Sequence, residues 1–321
     1  MRIALPASLD AAGLAGHDAT ACVRALGGAT MGTRWSVRMA APAGYDVTPL
    51  QAAIEVRLTT IVRQMSQWEP GSTLSRFNAA PPGTWAILPA DFAAVIDRAL
   101  RIARASDGAF DPALGRLVDL WGYGALAVAG PPNAAAIAAA RARSGWRWLA
   151  WEPGARCLLQ PGGVALDLAG IAKGYAVDAV ADLLAEHGFA HCLVEIGGEL
   201  VGRGLRPDGD PWWVELEVPP DTAIAPLRIA LHGLAVATSG DYRRGGHTLD
   251  PRTGRGTTNR VVATSVIAPR AVDADAWATA LGVLGPAAGL ALAERHGLPA
   301  RIVTRDGVEH LSPALVAMLS D

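Results

Sequence analysis

Hydrophobic positions along this chain change their period several times, and each change marks an element. Between Thr33 and Met39 they alternate, with Trp35, Val37 and Met39 on one face, which predicts a half-buried strand. From Thr48 the period lengthens: Leu50, Ile54, Leu58, Ile61 and Met65 fall three and four apart, the core stripe of a helix. Thr48 is expected as its N-cap, with Pro49 at the first helical position. Met65–Asn78, rich in Ser, Gly and Pro and carrying Trp68, reads as a loop. A second helix is predicted from Pro89 to Ala105, with Phe92, Val95, Ile96, Leu100 and Ile102 inward. After Pro131-Pro132 an alanine-rich run reads as a helix to Ser144-Gly145, since alanine is the strongest helix former. Trp146–Trp148 and Cys157–Leu159 read as a hairpin around Pro153-Gly154.

The stretch from Ala165 to Leu200 organises the rest. A short apolar strand, Val164–Leu168, ends near Asp167 and runs into the glycine-flanked turn Gly170–Gly174. A helix follows on Ala176, Val177, Val180, Leu183 and Leu184, with Gly188 just past its end. His191–Ile196 is a second strand, closed by Gly197-Gly198. Downstream, Trp213–Val218, Arg228–Leu231, Leu234–Ala237 and Arg260–Ala268 read as strands. Asp273–Leu284 and Pro286–His296 read as helices, and Ala300–Thr304 opens a hairpin that turns at Asp306-Gly307. Helices and strands mix without strict βαβ alternation, so the expected class is α+β with mixed, largely antiparallel sheets and packed helices. Residues 1–26 show no period and read as a loose arm. No linker divides residues 27–321, which read as one large domain.

Composition narrows the function. With 51% hydrophobic and 18% charged residues the chain is globular rather than disordered. A net charge of −2 gives no electrostatic case for nucleic acid. No run of about 18 apolar residues appears, so no membrane-spanning helix is expected. Cys22, Cys157 and Cys192 have neither metal-ligand nor framework spacing and are expected as buried free thiols. The first residues lack a basic start followed by a long apolar core, so a cytoplasmic enzyme is expected, or a periplasmic one if a leader has been removed.

Five places carry candidate chemistry. The Gly170–Gly174 turn feeds a helix N-terminus, where free N–H groups and Lys173 suit an anion; an ordinary strand-to-helix connection reads equally well. It matches neither GxxxxGK[ST] nor GxGxxG. Asp275 and Thr279 are one helical turn apart and offer hard oxygens to Mg2+, although Asp273 or Asp275 also suits a helix cap and Thr279 a bond back to a carbonyl. Thr238–Arg243 with His247–Gly254 is dense in hydroxyls, carboxylates and arginines; His247 has the intrinsic basicity to take a proton from a hydroxyl, and a polar hairpin loop reads equally well. Ala109-Phe110-Asp111 reads as a core phenylalanine beside an Asx turn, while Met31 and Trp68 offer flat or soft surface for a ring.

Taken in order, these pieces resemble the ApbE-type flavin transferases, the FAD:protein FMN transferase family. The resemblance runs through Gly28–Thr33, Met65-Ser66 to Ser75–Asn78, Gly108–Pro112 to Leu120–Gly122, Asp167–Asp178, Ile196–Gly198, Thr238–Tyr242, His247–Gly254 and Ala274–Thr279. It implies a T-fold-like transferase domain that uses FAD and Mg2+ to attach FMN, through its phosphate, to a threonine or serine of a target flavoprotein, releasing AMP. It further implies that Met31, Trp68, Ala109, Phe110, Asp111, Asp167, Lys173 and Leu249 hold the FAD. Gly170 (through its carbonyl), Asp275 and Thr279 would hold the metal, and His247 would act as base. Trp68 stands where many members carry tyrosine, and Glu195 where asparagine is usual. The same residues also suit an Mg2+-dependent FAD pyrophosphatase or a flavin-binding protein without turnover.

Overall fold

The computed structural model describes residues 2–6, 12–126, 128, 130–240 and 246–320. Its centre is an eight-stranded sheet in the order Glu309–Leu311, Ala300–Thr304, Val261–Ala268, Leu234–Gly240, Glu199–Arg203, Cys192–Ile196, Thr33–Ala41, Cys22–Thr30. Every neighbouring pair in it is antiparallel. One face is covered by the helices Thr48–Met65, Ala90–Ala105, Ala172–Glu186 and Ala271–Arg295, whose apolar stripes form the main core with Trp35, Val37, Met39, Val194 and Ile196. On the other face Leu193, Val236 and Ile267 meet a small sheet of Leu319–Ser320, Arg2–Ala4, Leu227–Leu231 and Trp212–Glu215. The α+β class with largely antiparallel sheets is therefore what the chain adopts. The exception to antiparallel pairing in the small sheet is Arg2–Ala4 beside Leu227–Leu231.

Several sequence expectations need correction. The loose arm over residues 1–26 contains two paired segments among its described residues: Arg2–Ala4 sits inside the small sheet, and Cys22–Thr30 pairs with Thr33–Ala41. Both owe their order to a neighbouring strand, which a periodicity search along one segment does not see. Val164–Leu168 is extended but in no sheet; the Asn78 side chain clamps it by donating to the Leu166 carbonyl (3.0 Å) and accepting from the Leu166 N–H (2.7 Å). The Met65–Asn78 loop includes the helix Thr73–Ala79, capped by Ser72, whose hydroxyl accepts from the Ser75 N–H. Thr48 is the first helical residue rather than the cap, and its N–H donates to Asp46. Trp146–Trp148 is a 3-10 turn; Cys157–Gln160 is the middle strand of a three-stranded sheet, paired with Thr84–Ile87 on one side and Trp151–Glu152 on the other. Of the three thiols only Cys192 is buried; Cys22 is exposed and Cys157 is intermediate.

The last long helix, Ala271–Arg295, is broken at Gly285 (φ 79°, ψ 179°), immediately before Pro286, where the sequence places the boundary between two helices. By length and hydropathy alone this segment would reach across a bilayer, but most of its apolar stretch is buried within the protein. It behaves as a core helix.

Candidate functional site

Two helices cross at the heart of the molecule, Ala172–Glu186 and Ala271–Arg295, and their contact builds the floor of a cavity. The crossing is close because Gly174 has no side chain. A Cβ there would drive into the Ala271 carbonyl oxygen and come within 2.8 Å of Asp275 Cβ. Instead the Gly174 N–H donates to Asp275 Oδ2 at 2.9 Å. One turn further along the first helix, the carboxylate of Asp178 accepts from the N–H groups of Ala271 (3.0 Å) and Val272 (2.9 Å), so one helix caps the other. Arg98 pairs with Asp273, which accounts for that buried carboxylate. Asp275 therefore does not cap its own helix, and Thr279 makes the back-bond expected of it, Oγ1 to the Asp275 carbonyl at 3.3 Å. Gly170 lies against Thr279: a Cβ on it would sit 2.8 Å from Thr279 Oγ1.

The cavity above this floor has a volume of about 1080 Å³, at the upper end for a small-molecule site. Met31, Trp68, Ala109, Phe110, Asp111, Asp167, Gly170, Lys173, His247, Leu249, Asp275 and Thr279 all line it. Every site residue singled out in the sequence thus faces one space, although they are scattered over most of the chain. Asp241-Tyr242-Arg243 lie outside the described residues.

Local structure explains how each arrives. Met31 and Gly32 form the two-residue turn between Cys22–Thr30 and Thr33–Ala41, both with positive φ (48° and 70°). Trp68 projects from the loop after the first long helix and is 62% exposed. Phe110 is buried in the main core, and Asp111 forms the expected Asx turn by accepting from the Ala113 N–H (2.8 Å) while its other oxygen accepts from Trp146 N–H (3.1 Å). Burial still pushes Asp111 up to about 6. Desolvation does the same to Asp167, up to about 6, against a hydrogen bond from the Ala169 N–H. Leu249 packs with Leu117 and Ile137, which ties the hairpin Leu249–Asp250/Arg255–Gly256 to the segment carrying Trp121 and Tyr123. Trp121 Nε1 donates to the Gly254 carbonyl and the Tyr123 hydroxyl to that of Gly246, so His247 is held between two anchored residues, edge-on to Tyr123.

Electrostatics sharpen toward the floor. Asp275 is 5% exposed, and burial raises its carboxyl above the usual range while Lys173 and the Gly174 N–H pull the other way. Lys173 pairs with Glu199 at 2.5 Å. Glu199, 2% exposed, is pushed up to about 8, chiefly by desolvation and then by the Asp275 charge. Glu199 is absent from the sequence-derived set. Its signal is a carboxylate directly after the Gly197-Gly198 turn. Two desolvated carboxylates and the Thr279 hydroxyl line one space beside Lys173, a hard-oxygen set that fits a divalent cation. The first turn of Ala172–Glu186 opens on the same space through Ala172 and Lys173 and suits phosphate oxygens.

Comparison with known proteins places the chain in a family. The family model described as the ApbE family matches residues 31–302. The chain is 36% identical to the FAD:protein FMN transferase of Vibrio cholerae serotype O1, covering 96% of each chain. It is 36% identical to that of Klebsiella pneumoniae over 88% of this chain and 84% of the relative. Among solved structures, the apo form of Pseudomonas stutzeri flavinyl transferase ApbE superposes with a TM-score of 0.87 at 37% identity, covering 94% of this chain and 98% of the other. The Vibrio cholerae flavin transferase ApbE gives 0.86 at 35% identity, covering 93% and 99%. With a matching fold, a match over most of its length and the family's motifs gathered around one cavity, the chain belongs to the ApbE family.

Proposed function

We propose that this protein is an FAD:protein FMN transferase: it moves FMN from FAD to a threonine or serine hydroxyl of a target flavoprotein, forms a phosphoester and releases AMP. The observation that carries the reading is the convergence of His247, Lys173, Asp275 and Thr279 on a single cavity large enough for a dinucleotide. Met31 and Trp68 at the rim offer a soft and a flat surface for ring stacking, and Phe110 an apolar wall. Lys173 and the helix N-terminus at Ala172 receive the pyrophosphate oxygens. Gly170, Asp275 and Thr279 would hold Mg2+, which supplies charge neutralisation on the phosphates when bound.

His247 then takes the proton from the acceptor hydroxyl as its oxygen attacks the phosphorus of the FMN half. The bond from that phosphorus to the bridging oxygen breaks, and AMP leaves with the electron pair. Positioning and charge stabilisation supply most of the acceleration in such phosphoryl transfers. The test is intact-mass analysis of an acceptor flavoprotein incubated with the enzyme, FAD and Mg2+. A mass gain of one FMN, with AMP released, is expected. Free FMN and AMP with an unmodified acceptor would identify a pyrophosphatase, and intact FAD a binding protein.

A further inference from the structure

Glu199 is placed by its turn. Ile196 and Glu199 form the closing pair of the hairpin between Cys192–Ile196 and Glu199–Arg203, with only Gly197 and Gly198 between them. Both glycines have positive φ (62° and 104°), a turn that leaves no slack in register. On its far side the strand is fixed by pairing of Leu200 with Val236. The Glu199 side chain is thus delivered to the cavity floor from the central sheet, opposite the helices that deliver Lys173 and Asp275.

Its two oxygens are treated differently. Oε1 pairs with Lys173, whereas Oε2 is buried with no hydrogen-bond partner among the described residues. A desolvated carboxylate oxygen left without a donor is costly. A residue whose task was only to steady Lys173 would need one acceptor, and a neutral side chain could supply it more cheaply. Lys173 also acts on the Asp275 carboxylate, so among the described residues one lysine serves two buried carboxylates. With Glu199 Oε2 left unmet, the cluster offers more carboxylate oxygen than Lys173 satisfies, in the same cavity that Asp275 and Thr279 line.

We propose that Glu199 is a further oxygen donor to the divalent cation at the cavity floor, and that Lys173 competes with the cation for it. Two carboxylates with substrate phosphates completing the shell is a usual environment for Mg2+. Arrival of the phosphates draws Lys173 toward them and leaves Glu199 to the metal. The inference rests on the reading that Asp275 and Thr279 hold the cation.

Mn2+ titration of the FAD-free protein, with free Mn2+ followed by electron paramagnetic resonance at one pH, tests it. Glu199→Gln should weaken Mn2+ binding by roughly 10–100-fold, the size expected for a lost metal-site group. Lys173→Met should tighten binding, and the double variant should lose that gain. If Glu199→Gln binds like the parent while Asp275→Asn does not, the role given to Glu199 is overturned and the cation reading stands. If Asp275→Asn also binds like the parent, the cation reading itself falls. Should Glu199→Gln melt too low to titrate, Lys173→Met decides alone: no tightening overturns the competition.

Discussion

The floor and the rim of the cavity are built on opposite principles. At the floor, two helices meet through a missing side chain, one caps the other through Asp178, and Asp275 is fixed by the N–H of Gly174. Each of these groups has several structural obligations. At the rim, Trp68 is largely exposed, Met31 hangs from a two-residue turn and His247 rides on a hairpin. These residues carry few structural duties, so their cost to the fold is small and their value is chemical. Changes at the floor should therefore damage fold and chemistry together, while changes at the rim should separate them.

His247→Ala is the strongest test of that separation. It should lower the rate of transfer by roughly 100–10,000-fold, the usual weight of a positioned base, with FAD binding and melting temperature unchanged. A joint loss of stability would break the contrast. Asp275→Asn, at the floor, is expected to cost roughly 100–1,000-fold in rate, the range for losing one electrostatic stabiliser, and to lower FAD affinity as well. Gly174→Ala should cost about 2–3 kcal/mol in urea unfolding, because the helices must part to admit a methyl group. Trp68→Ala should weaken FAD binding by about 1–2 kcal/mol by calorimetry, while Trp68→Tyr stays close to the parent. The smallest effect concerns Asp167. Burial holds its folded carboxyl at about 6, above its unfolded value, so the penalty for charging it is absent below about pH 3, grows through about pH 4–6 and is full above that. Asp167→Asn should then gain about 1 kcal/mol of stability at pH 8 and nothing at about pH 3, after allowance for partial exposure.

The same contrast explains what was legible in the sequence. Helical stripes such as Leu50, Ile54, Leu58, Ile61 and Met65 were readable because burial imposes a local period, and all five are buried. The break at Gly285-Pro286 was readable because proline and glycine act on their own backbone. Arg2–Ala4 and the Asn78 clamp on Leu166 were not, since their order comes from partners far along the chain. The site divided likewise. The spacing of Asp275 and Thr279 is local and visible, Lys173, His247, Phe110, Met31 and Trp68 stand out by residue type, and Asp167 and Leu249 come into view only through the family's ordered motifs. Glu199 escaped both: its meaning depends on Lys173 and Asp275, which only the folded chain brings to it.

The left-handed backbone at Met31 has a consequence for anyone evolving this protein. A side chain held in that region stores about 1 kcal/mol that glycine would release. Selection for heat tolerance would favour replacing it, whereas selection for turnover, on the proposed reading, would keep the thioether over the flavin. Libraries sorted under the two regimes should drift apart at this codon first.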